Sequence, residues 1–113
     1  MLNKGSERYQ SAVRDAVNVA LAVVDKREGI VAGSRLLAGF AHILVPDWRI
    51  DPDFVVLGGF DSESDRFPLG KVRDSWDPAA LTALDLEREE MERRWESRVM
   101  AGCRSIVARF GDA

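Results

Sequence analysis

The sequence predicts a mainly α-helical domain with a small β element. It consists of an N-terminal antiparallel helical hairpin, a strand or β-hairpin insertion around residues 53–69, and a long C-terminal helix. Three observations carry this. Apolar residues recur at spacings of three and four in the first 45 positions, Asp77-Pro78 opens a periodic run of more than thirty residues, and Phe54-Val55-Val56-Leu57 breaks the helical pattern between them. The chain has 113 residues, 46% hydrophobic and 31% charged, which is the size and balance of one globular domain spanning residues 1–113.

The first helix starts at Ser6, whose side chain is a natural N-cap. Tyr9, Ala12, Val13, Ala16, Val17, Ala20, Leu21 and Val24 fall on one stripe, and Gly29 is placed to end the helix in a left-handed cap. A second helix follows with Leu36, Leu37, Phe40, Ile43 and Leu44 as its expected buried face, stopped by Pro46. Gly33 and Gly39 cost that helix about 1 kcal/mol each relative to alanine, a cost that close packing against the first helix explains.

Phe54 to Leu57, bounded by Asp-Pro-Asp and Gly-Gly, has strand composition, with Phe67 to Leu69 as its partner across the Asp61–Asp65 turn. Pro68 confines that partner to an edge. The C-terminal helix runs from Pro78 to about Phe110, ahead of Gly111. Leu81, Leu84, Val99, Cys103, Ile106, Val107 and Phe110 form its apolar face, while its middle offers a core only Met91 and Trp95. Glu89 with Arg93, and Glu90 with Arg94, have the stabilising i,i+4 order. Trp95 either covers the edge of the hairpin or marks a partner surface. Trp48 and Trp76 flank the acidic middle segment and are expected to pin it to the helices.

The formal net charge is −3, unevenly distributed. Residues 1–45 hold six basic and four acidic side chains, residues 46–77 four and eight, and residues 78–113 six and seven. A negative middle third repels phosphates, which argues against nucleic acid, and attracts basic proteins. The longest aliphatic run, Val19 to Val24, is too short to span a bilayer, and polar residues occupy the first twenty positions, so a soluble cytoplasmic protein is expected. The single Cys103 excludes an internal disulfide.

No catalytic constellation is visible. His42 is the only histidine and Cys103 lies on the apolar side of its helix, so neither a zinc site nor a nucleophile–base pair is expected. Asp61, Glu63 and Asp65 open like a calcium loop, but the sixth position is Arg66 and the twelfth Val72, where glycine and glutamate belong. Gly58-Gly59 lacks the third glycine and the strand–loop–helix setting of a phosphate loop. The acids are therefore read as a turn that also forms a recognition surface. Arg66, Lys71 and Arg73 are expected to pair with Asp61, Glu63, Asp65 or Asp74.

The stretches DPDFVVLGGFDSESDRFPLGKVRDSW and AGCRSIVARFG resemble small bacterial proteins in which an apolar strand precedes a D-S-E-x-D turn, a P-x-G step and an R-x-x-W. That resemblance implies no catalytic residue and no cofactor. In general character the chain also resembles bacterial immunity proteins, which neutralise a cognate toxin by binding it and are acidic where the toxin is a basic nuclease. The expectation is a non-enzymatic binding protein. Asp51, Asp53, Asp61, Glu63 and Asp65 would meet the toxin's basic groove, and Trp48, Phe60 and Phe67 would anchor it. The rival is a structural or regulatory homodimer on the C-terminal helix, with Met91 and Trp95 at the seam, and a third reading is a small hydrolase or metal-dependent enzyme, which metal analysis of the purified protein would test.

Overall fold

A computed structural model of the chain describes residues 5–111. It is all helix: α1 Glu7–Val24, α2 Ile30–Leu44, α3 Pro52–Ser64, a 3-10 helix Gly70–Ser75, and α4 Pro78–Phe110. No strand occurs among the described residues. α1 packs against α2 and α4, and α3 against the same two, so the four helices close a ring around one core. Val23 of α1 lies against Gly33 of α2, Arg35 of α2 reaches Ser64 of α3, and Asp53 of α3 meets Arg109 of α4. Successive helices therefore run antiparallel, in the up-down-up-down arrangement that short connections favour.

α1 begins as its sequence dictates, with the Ser6 Oγ accepting the Tyr9 N–H at 3.1 Å. Its core face is Ala12, Ala16, Ala20 and Val23, small residues that let neighbouring helices approach closely. Leu21, expected on that stripe, is exposed. The left-handed residue after α1 is Lys26, with φ 62°, while Gly29 is extended and serves instead as the N-cap of α2. In α2 the buried residues are Ile30, Val31, Gly33, Ser34, Leu37, Ala41 and Leu44. Leu36 is 48% exposed, and Phe40 and Ile43 are half-buried.

The two glycines of α2 differ. A Cβ on Gly33 would run into the buried, β-branched Val23 side chain, whereas one on Gly39 would meet nothing within 4 Å. Gly33→Ala is accordingly expected to destabilise by about 1–2 kcal/mol, overpacking exceeding the gain in helix propensity. Gly39→Ala should stabilise by up to about 1 kcal/mol. Urea denaturation of the two variants tests this, and equal shifts would contradict it.

The expected strand is instead α3, and the reason lies in its first residues. Asp51 is an N-cap whose carboxylate accepts the Asp53 and Phe54 amides at 3.2 and 3.3 Å, with Pro52 just inside the helix. This is the same Asp-Pro start that opens α4, where Asp77 accepts the Ala80 amide. The β-rich run then satisfies a helical period: Phe54, Leu57, Phe60 and Ser64 are buried while Val55 is 52% exposed. The Asp61–Asp65 segment is the last turn and C-cap of α3, not a hairpin turn, and Gly58 and Gly59 lie mid-helix. Phe67 is buried in the core beyond α3 rather than on an edge strand.

At 33 residues, α4 spans about 50 Å, matching the 49 Å long axis of the molecule. Its buried residues begin only at Met91. The first third overhangs the bundle and is tied to the α3–α4 connection by a bidentate Arg73–Asp85 pair at 2.9 and 2.8 Å.

Candidate functional site

The predicted site residues separate into three groups. Asp51 and Asp53, at the N-terminus of α3, are engaged internally by the last turn of α4. Arg109 donates to both Asp51 oxygens at 3.0 and 2.8 Å and to the Asp53 Oδ2 at 2.7 Å, and the Ser105 hydroxyl donates to Asp53 at 2.6 Å. The Arg109 hydrogen bond is the main cause holding the Asp51 carboxyl below its ordinary pKa, with burial opposing it and the Phe54 amide and the Arg109 charge assisting. These acids cap α3 and lock α4. They are not an open negative surface.

Asp61, Glu63 and Asp65 lie at the other end of α3, where the helix dipole is already negative. Acids there cost the helix stability, and its last turn contains no basic residue. Arg35, reaching across from α2, supplies a partial remedy. It donates to the Ser64 and Phe67 carbonyls at 3.0 and 3.4 Å and lies 3.7 Å from Asp61. Burial raises the Asp61 pKa, Arg35 pulls it back, and the Asp65 charge adds to the rise. Glu63 and Asp65 are exposed and form no ion pair among the described residues.

The expected neutralisation of these acids by the next basic residues does not occur. Arg66 donates to the Glu63 backbone carbonyl at 3.0 Å and stacks on the Phe67 ring. Arg73 pairs with Asp85 of α4, and Lys71 is exposed.

The aromatic anchors form the third group, and the fold corrects two of them. Phe60 is 0% and Phe67 1% exposed, so both belong to the core and neither presents a surface. Trp48 is half-buried against the core with Arg49 stacked on its ring. Trp76, expected to pin the segment as Trp48 does, is exposed. Trp95 packs within its own molecule. Its ring centroid lies 5.3 Å from Phe60, its edge lies beside Gly59, and the Arg98 guanidinium lies over the ring at 4.0 Å from its centroid. Met91 is buried as well, so the Met91–Trp95 seam of the dimer reading is closed off.

His42 is exposed near the Arg8 guanidinium, and Cys103 is buried, with desolvation pushing its thiol up to about 11. Among the described residues no group of three His, Cys, Asp or Glu side chains is arranged to hold a metal ion, and no helix is long and apolar enough to cross a membrane. Sequence reasoning missed Arg35, Ser105 and Arg109 because their partners lie tens of residues away in the chain. Only the repeated Asp-Pro signal at Asp51 pointed to the helix that brings them together.

No family model, curated protein or solved structure matches this chain.

Proposed function

We propose that the protein acts by binding another protein, in the manner of an immunity protein that neutralises a basic toxin, with the C-terminal turn of α3 as its contact. The observation that carries this reading is the placement of Asp61, Glu63 and Asp65 at the negative pole of a helix with no basic residue in its last turn. Among the described residues the cations reaching that turn are Arg35, which donates to the Ser64 and Phe67 carbonyls and lies 3.7 Å from Asp61, and Arg66, which donates to the Glu63 carbonyl; neither pairs with the Glu63 or Asp65 carboxylate. Glu63 and Asp65 thus keep a local negative potential whose cost to the helix a basic partner would relieve. Asp51 and Asp53 belong to the scaffold in this mechanism, since their charges are met by Arg109. Binding rather than catalysis also fits the two reactive side chains: Cys103 is a buried, protonated thiol, and His42 has an arginine for its neighbour.

Immobilised wild-type protein and a Glu63→Lys/Asp65→Lys variant, each exposed to lysate of the native host, test the reading. The wild type should retain a partner that is released by salt, and the variant, with equal helicity, should not. Equal retention by both would remove this turn from the interface.

A further inference from the structure

A groove of about 520 Å³ runs between α1 and the end of α4, within the size range of small-molecule sites. Two parallel rows of α1 build it. Tyr9, Val13 and Val17, four residues apart and half-buried, form an apolar floor. Gln10, Arg14 and Asn18, one position on and exposed, form a polar rim. Half-buried Phe110 and Gly111 close the opposite side. Among the described residues of this lining Arg14 alone is charged, and it forms no ion pair with any described residue. Glu7 borders an adjoining recess with Gln10, Ser11 and Arg14, but it lies about two turns from Arg14 along α1 and does not pair with it.

These features select a class of ligand. On a chain of net charge −3, a groove whose described lining holds one cation and no carboxylate favours an anion. An inorganic polyanion would leave the apolar floor bare and find a single cation for several charges. A neutral apolar molecule would leave the guanidinium unmatched. A monocarboxylate with an apolar body uses both, since Arg14 offers a carboxylate two parallel donors and the side-chain amides of Gln10 and Asn18 stand one turn to either side. The end of α4 fixes the orientation. Its last carbonyls form the negative pole of a 33-residue helix, and the Gly111 N–H is already spent on the Val107 carbonyl at 2.8 Å. The carboxylate is thereby kept at the Arg14 rim, and the apolar body lies along Val13 and Val17 toward Phe110. The floor from Tyr9 to Val17 is about 12 Å long, room for a chain of about eight carbons.

We propose that this groove binds a small amphipathic monocarboxylate, with the carboxylate on Arg14 and the apolar body over Val13, Val17 and Phe110. The groove shares no residue with the acidic turn of α3, and its failure would leave that reading untouched.

Nuclear magnetic resonance titration of the isotope-labelled full chain with octanoate, octylammonium and acetate tests it. Octanoate should shift the amide signals of Val13, Arg14, Val17 and Phe110, with a dissociation constant on the order of 100 µM. Octylammonium and acetate should each bind at least about tenfold more weakly, because one opposes Arg14 and the other leaves the floor bare. Arg14→Gln should weaken octanoate binding about tenfold with helicity unchanged, and Arg14→Glu should reverse the preference between octanoate and octylammonium. Arg14 is exposed, so neither change disturbs the core. Adsorption to an apolar patch would not invert with the sign of the charge at this position. No shift at these amides up to about 10 mM octanoate, equal affinity for the two octyl probes, or octanoate binding unchanged in Arg14→Gln would overturn the proposal.

Discussion

Truncation of Phe60 to alanine is expected to remove about 3–5 kcal/mol of stability, among the largest single losses in this fold. The ring is fully buried on the inner face of α3, surrounded by core residues, and packs at a tilt of 37° against Trp95 of α4. Its removal leaves a cavity between two helices that Gly59, having no side chain, cannot help to fill. Leu57→Ala, one turn earlier and also fully buried, should cost about 2–4 kcal/mol, and Val55→Ala, half-exposed, at most about 0.5 kcal/mol. The ranking is diagnostic. A strand would place Val55 and Leu57 on one side and make them comparably costly, whereas a helix separates them. Denaturant midpoints of the three variants provide the check, and similar losses at Val55 and Leu57 would refute α3.

The second large effect is expected from Arg109→Ala. Its guanidinium holds two carboxylates whose side chains are only 9% and 17% exposed, and without it both remain confined at one helix end. Hydrogen bonds to charged groups are worth about 1.5–3 kcal/mol, and Arg109 is itself a third exposed, so screening brings the expected loss to about 2 kcal/mol. The same contact sets an acid limb. Asp51 has a folded pKa below its unfolded value, so its contribution is complete above about pH 4 and disappears as pH falls through the folded pKa. Asp61 acts with opposite sign. Burial raises its pKa, so its ionised form weakens the fold at neutral pH, and protonation relieves that cost. Urea titrations from neutral pH down to about pH 3 should therefore show the wild type losing more stability than Arg109→Ala. A variant with the full wild-type acid limb would show that Arg109 does not hold Asp51.

Local signals account for most of the helical architecture. Ser6, Asp77 with Pro78, and Pro46 delimit elements by hydrogen bonds or steric clashes within a few residues, and these operate whatever the rest of the chain does. The same logic applied to Asp51-Pro52 points to a helix, but Phe54-Val55-Val56-Leu57 carries strand propensity, and burial decided between them. Phe54, Leu57 and Phe60 each gain a core contact in a helix, and at a seam between two helices that gain exceeds a propensity difference of tenths of a kcal/mol per residue. Gly33 and Gly39 look alike in sequence, yet only one faces a neighbour.

The candidate site was legible in composition but not in charge state. The sequence alone determined that the acids are concentrated between Asp47 and Asp65, that α4 is long and amphipathic only in part, and that one cysteine and one histidine supply little reactive chemistry. Tertiary structure decided which acids face a cation. Arg109 meets Asp51 and Asp53 from a helix end more than fifty residues away, and Arg35 spends its donors on the carbonyls of Ser64 and Phe67. The physical reason is range. Capping and periodicity act over one or two turns, whereas a guanidinium reaches whichever helix the packing of the core brings beside it.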